Sequence, residues 1–258
     1  VFSPRSSLAT SVGLIALLAT ACAQTDTAQA SSSTAAAGQA ATAAAAGPLR
    51  GGATTTQVAD FARSVGGDKV AVTQILKPNV DPHDYEPSPA GIRAVADADV
   101  VVKNGVGLER WLDQVISSAG FKGQVVDASQ GVAIRKGDGS AEEAAGDPHI
   151  WHNPQNVKIM AANIEKAFAA KDAPDAAAYQ ADLDAYSAKL DALDADIAQR
   201  IDAIPADRRK PVTNHDVSGY YIDRYRLTFV GSITPSFDTS AELSAKQTSD
   251  GACRCRLR

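Results

Sequence analysis

From Leu49 onward, short apolar runs rich in β-branched residues alternate with amphipathic helical stripes, and that alternation leaves few folds open. Val58, Phe61, Ala62 and Val65 fall at i, i+3, i+4 and i+7, the spacing of a helix with one buried face, and Gly66-Gly67 stops it. Lys69 to Leu76 reads as a strand. Ser88-Pro89 is an N-cap and first-turn pair that opens a helix through Ala98. Asp99 to Val102 is a short buried strand closed by Asn104-Gly105. Leu108, Trp111, Leu112, Val115 and Ile116 form the next helical stripe, and Gln124 to Val126 the next strand. Strands that alternate with helices require a crossover between neighbours, so the expected fold class is α/β, with parallel sheet and helices on its faces.

Residues 135–147 read as a polar loop, and two long helices come after it. The first opens at Asn153-Pro154 and carries Val157, Met160, Ala161, Ile164 and Phe168 on one side. The second carries Tyr179, Leu183, Tyr186, Leu190, Leu193, Ile197 and Ile201 at steps of three and four. That seam resembles a coiled coil of about three heptads, and is read as one face packed on the same chain. Strand and helix then return as Pro211 to Thr213, Val217 to Tyr225 and Leu227 to Val230.

The ends differ in kind. Residues 1–22 read as an export signal: Arg5 supplies charge, Val12 to Leu18 an apolar stretch too short to span a bilayer, and Ala19-Thr20-Ala21-Cys22 a lipobox whose Cys22 would be lipidated. A plain secretory signal with an incidental cysteine is the alternative. Residues 23–48 are almost all Ala, Ser, Thr, Gln and Gly with Asp26 the only charge, and read as a disordered tether. The other cysteines, Cys253 and Cys255, stand near the end, so neither a disulfide framework nor a cysteine-rich zinc module can organise the body. Lys+Arg 25 against Asp+Glu 30 leaves a net charge of −5, which argues against a nucleic-acid partner.

The chain has only four histidines, His83, His149, His152 and His215. Three occur beside aspartates at junctions that lead into helices: Asp81-Pro82-His83, Asp147-Pro148-His149 and Asn214-His215-Asp216. In open parallel sheets such loops, at the carboxyl ends of the strands, form the ligand crevice. Neutral imidazole is a favoured zinc ligand, and a neighbouring carboxylate orients the ring. Three converging loops would supply three nitrogens and leave a fourth position to a carboxylate or water. From pattern alone, three polar loop histidines without a metal remain an equal reading. His152, just before the helix opened by Asn153-Pro154, is read as supporting a ligand or as having no metal role.

Leu49 to Gln247 resembles the zinc/manganese ABC-transporter solute-binding lipoproteins, the cluster that includes adhesin-type surface antigens. The matching stretches are Val65 to Val70, Asp81-Pro82-His83-Asp84-Tyr85-Glu86-Pro87, Asn104-Gly105-Val106-Gly107-Leu108-Glu109, Asp147-Pro148-His149-Ile150-Trp151, Thr213-Asn214-His215-Asp216 and Gly231-Ser232-Ile233. The resemblance implies a two-lobe solute-binding fold with parallel sheets joined by a long backbone helix. It implies an N-terminal lobe over 49–152, linking helices over 153–204, and the start of a second lobe over 205–247. Metal ligands would be His83 and His149 from the first lobe and His215 from the second.

Two departures from the family pattern stand out. Gly51-Gly52 occupy the first strand where apolar residues belong, which predicts a frayed strand. After Gln247 the family pattern stops, and residues 248–258 read as a frameshifted tail, leaving the second lobe incomplete and the fourth ligand absent.

The implied role is capture of Zn2+, or Mn2+, as the transported ligand of an ABC importer. The protein would be a non-enzymatic monomer, held by its N-terminal lipid on the extracytoplasmic side of the cell membrane and handing metal to a permease, and the truncation would impair it. A surface adhesin with incidental metal is the alternative. A zinc hydrolase is less favoured, since no His-Glu-x-x-His occurs.

Overall fold

The computed structural model describes residues 47–137 and 143–239. The expected export signal with Cys22, the tether up to residue 46, and the expected tail lie outside the described residues. No helix among the described residues is long and apolar enough to cross a membrane.

Four parallel strands form the main sheet: β1 (Leu49–Ala53), β2 (Val70–Gln74), β3 (Val100–Lys103) and β4 (Gln124–Asp127), in the order β2-β1-β3-β4. The crossovers contain α1 (Thr56–Gly66), α2 (Pro89–Ala96) and α3 (Leu112–Ala119). Local signals set their ends. Thr55 Oγ1 caps α1 by accepting from the Val58 N–H, Ser88 Oγ caps α2 by accepting from the Gly91 N–H, and Gly67 ends α1 at φ +52°. β3 shows why the sheet is covered on both sides. Val100 and Val102 enter one core with α1 and the long helices, while Val101, between them, enters a second core with Val95, Leu112 and Val115.

The expectation that glycines would fray the first strand is overturned. β1 lies inside the sheet and pairs with both β2 and β3. A Cβ at Gly51 would come within 3.1 Å of Val70 Cγ1, and one at Gly52 within 3.3 Å of Val101 Cγ2. Neighbouring side chains fill the room the glycines leave, and that packing offsets the entropy glycine loses in a strand.

The long helices are α4 (Pro154–Lys171) and α5 (Ala176–Asp202). At 1.5 Å per residue they extend roughly 27 and 40 Å. Asn153 caps α4 by accepting from the Gln155 N–H. The α5 seam divides: Tyr179, Leu183 and Leu190 are buried in the main core, whereas Leu193 is 48% exposed.

Beyond α5 the chain forms a two-stranded parallel sheet, β5 (Val212–His215) and β6 (Gly231–Thr234), with α6 (Gly219–Tyr225) between them. Asp194 on α5 accepts from Arg224 Nε at 3.0 Å, Tyr225 Oη at 2.8 Å and Gln155 Nε2 at 3.1 Å, and so ties α4 and α5 to α6. Boundaries here differ from the sequence reading, and α6 begins at Gly219 rather than Val217. His215 is the last residue of its strand rather than a residue after it. β6 begins at Gly231, not at Leu227. Over 227–230 the backbone is already bonded, from Thr228 to Arg209 and from Val230 to Pro211, but that stretch faces the approach to β5 rather than β5 itself.

Candidate metal centre

In the order β2-β1-β3-β4 the chain passes first to one side of β1 and then to the other, which opens a crevice at the strands' carboxyl ends. Two histidine loops flank it. His83 lies between β2 and α2, and His149 on the long connection after β4. The repeated Asp-Pro-His builds the same local turn in both: Asp81 Oδ1 accepts from the His83 N–H at 2.9 Å, and Asp147 Oδ1 from the His149 N–H at 3.0 Å. The first loop is further fixed by Trp111, whose Nε1 donates to the Pro82 carbonyl at 3.2 Å and whose ring meets Tyr85 edge-on. The second is fixed by Asn104, whose Nδ2 donates to the Pro148 carbonyl at 3.0 Å. Glu109 holds that corner in turn: its buried carboxyl accepts from Thr54 Oγ1 and from the Asn104 and Gly105 N–H groups, and burial raises its pKa.

His215 arrives from the second sheet. The three rings converge with centroids 5.2–6.4 Å apart, and one nitrogen from each of His83, His149 and His215 lies within 4.8 Å of the others. All three expected ligands are thus brought together. His152 is not among them; it ends a 3-10 turn, Ile150–His152, with its ring against Trp151. Cys22 lies outside the described residues.

Hydrogen bonding assigns the tautomers. His149 Nδ1 is 2.8 Å from Asp147 Oδ1, and a carboxylate can only accept, so Nδ1 carries the proton. His215 Nδ1 faces Asn214 Oδ1 at 3.1 Å, the same oxygen that accepts from the His215 N–H. In the neutral form of each ring Nε2 then presents a lone pair, and the two Nε2 atoms face each other at 3.4 Å. Two lone pairs at that distance repel, whereas a cation between them is bound by both. For a tetrahedral ion with metal–nitrogen bonds of about 2.0–2.1 Å, ligand nitrogens stand about 3.3–3.4 Å apart. Burial, reinforced by His149, lowers the His83 pKa to about 4, and burial also lowers that of His215. Both rings are then neutral at pH 7 and free to ligate.

Asp81 and Thr239 line the same cavity of about 360 Å³ as the three histidines. Neither is apparent as a partner from the sequence, since Thr239 Oγ1 reaches Asp81 Oδ2 at 2.5 Å across 158 positions. Thr239 belongs to a strap after β6 that crosses to the first-sheet loops. There the Phe237 N–H donates to Glu143 at 3.0 Å, and Asp238 pairs with Arg110 at 3.1 Å.

Residues 52–254 match the family model of ZnuA, the periplasmic zinc-uptake complex component A, and the chain belongs to this family. It is 31% identical over 182 residues to SsaB of Streptococcus sanguinis, a metal ABC transporter substrate-binding lipoprotein, covering 68% of this chain and 59% of that one. It is 34% identical over 174 residues to the iron-binding protein YfeA of Yersinia pestis, covering 67% of this chain and 55% of that one. The chain thus spans little more than half the length of these relatives. Among solved structures it resembles ZnuA, at 28% identity and TM-score 0.69 over 79% of this chain and 76% of that one. It also resembles the periplasmic zinc-binding protein TroA of Treponema pallidum, at 26% identity and TM-score 0.72 over 80% and 74%.

Proposed function

We propose that this protein captures a divalent transition metal outside the cytoplasm and delivers it to an ABC permease, performing no chemistry on it. The observation that carries this reading is the convergence of His83, His149 and His215, with the Nε2 atoms of His149 and His215 3.4 Å apart. Three imidazoles favour zinc over manganese, which prefers carboxylate and water oxygens. The fourth position falls to water or a carboxylate. The relatives' names, which specify metal, manganese or iron transport, support import over adhesion. Several are called lipoproteins, which supports anchoring through Cys22 on the extracytoplasmic face of the membrane. The segmentation into a first lobe over 49–152, linking helices over 153–204 and a second lobe from 205 fits the two sheets and the long helices between them. We read the protein as a monomer.

The test is calorimetric titration of the protein with Zn(II). One-to-one binding is expected, and His149→Ala should weaken it by more than about 100-fold, beyond the 10- to 100-fold typical of an outer partner. Absence of saturable binding, or binding unchanged by the substitution, overturns the reading.

A further inference from the structure

Arg135 lies on the connection between β4 and α4, outside the metal centre, and its surroundings are unusual for a loop arginine. Its Nη1 donates to Asp147 Oδ2 at 2.6 Å, and its Nε donates to Asp223 Oδ2 on α6 at 2.9 Å. Its backbone N–H donates to Tyr220 Oη at 3.0 Å, and that hydroxyl donates to the Asp147 carbonyl at 2.8 Å. The guanidinium also lies against the backbone of Gly219, where any Cβ would overlap it. Asp147 is fully buried, and its other oxygen, Oδ1, receives Nδ1–H of His149. One guanidinium therefore touches both halves of the centre. It holds the carboxylate that aims His149, and it grips the first turns of the helix that begins four residues after His215.

We propose that Arg135 is a positioning residue for metal capture: through Asp147 it fixes the direction of His149 Nε2, and through Asp223 and α6 it fixes the separation of His149 from His215. This rests on the metal-capture reading above. The planar fork of arginine suits the task, because it donates along two directions at once. A lysine ammonium in the same place would neutralise Asp147 without bridging to Asp223 in a fixed geometry. Partners that orient a ligating histidine are typically worth about 10- to 100-fold in metal affinity.

The test compares wild type with Arg135→Gln, Arg135→Lys and Gly219→Ala, the last of which evicts the guanidinium without changing any charge. In metal-free protein, long-range proton–nitrogen NMR of His149 should show the single Nδ1–H tautomer in wild type and Arg135→Lys. A mixture, or a rapidly exchanging Nδ1 proton, is expected in Arg135→Gln. Zn(II) titration should show about tenfold weaker binding for Arg135→Gln and Gly219→Ala. Arg135→Lys should weaken binding despite its intact tautomer. Wild-type tautomer and affinity in Arg135→Gln overturn the proposal; should that variant not fold, wild-type affinity in both Arg135→Lys and Gly219→Ala does so. If wild type itself fails to bind Zn(II), the capture reading falls, while the metal-free spectra still decide whether Arg135 directs His149.

Discussion

The two sheets are built on different principles. In the four-stranded sheet, Val100, Val101 and Val102 are all buried, and helices cover both faces. In the two-stranded sheet no residue is buried, and Val212 and Ile233 are 48% and 55% exposed. A two-stranded sheet is at best marginal on its own. Here it is fastened by polar contacts instead of a core of its own: Arg224 and Tyr225 on Asp194, Tyr220 and Asp223 on the Arg135 loop, and the strap from Phe237 to Thr239. The centre therefore joins two histidines carried on loops of a sheet with a packed core to one carried by a sheet that has no core of its own. Packing resists displacement in every direction, while hydrogen bonds resist it along a few.

The largest effect should come from the packed side. Phe168, fully buried against Tyr179 beneath the four-stranded sheet, should cost about 3–5 kcal/mol on truncation to alanine, measured by urea unfolding. A smaller loss would mean that this core does not dominate stability.

An intermediate effect is expected at Asp194. Its hydrogen bond from Arg224 holds its carboxyl below the usual value near 3.8, aided by Tyr225 and Gln155. Because Arg224 is partly exposed, solvent screens the pair, and Asp194→Asn should cost only about 1–2 kcal/mol at pH 7. A carboxyl with a depressed folded pKa stabilises fully above its unfolded pKa and loses that contribution as pH falls through the folded one. The gap between wild type and variant should therefore stay constant from pH 7 to about 5 and close in acid below about 3.8. A gap that closes at neutral pH would remove Asp194 as the fastening.

The smallest effect belongs to the open sheet. Ile233→Ser should change stability by less than about 0.5 kcal/mol, since its side chain is already more than half in water. A loss of several kcal/mol would show that this face is covered in solution and would erase the contrast.

Much of the fold is legible in the chain. Periodicity and the Gly66-Gly67 stop locate α1 within a few residues, and caps locate the starts of α2 and α4, because Ser88 and Asn153 act on backbone only two or three positions away. The histidines pair with their aspartates in the sequence for the same reason. Other features cannot be read locally. Gly51 and Gly52 look like a weakness, because the side chains that fill their space come from β2, β3 and α4. Leu227 to Val230 has the composition of a strand, yet the ladder is set by the partner's register and begins at Gly231. Arg135 sits in an unremarkable polar loop, and its meaning depends on Asp223, 88 residues away.

The twice-used Asp-Pro-His tripeptide separates two kinds of information. In both copies the aspartate folds back on the amide two residues ahead, so the turn travels with the three letters. The histidine's partner does not travel with them. Only the second copy clasps its own ring to its aspartate, and the two aspartates meet different helpers, Thr239 for one and Arg135 for the other. Searching genomes for the tripeptide would recover a shape; telling which copies belong to a binding centre requires knowing who stands on the far side of each carboxylate.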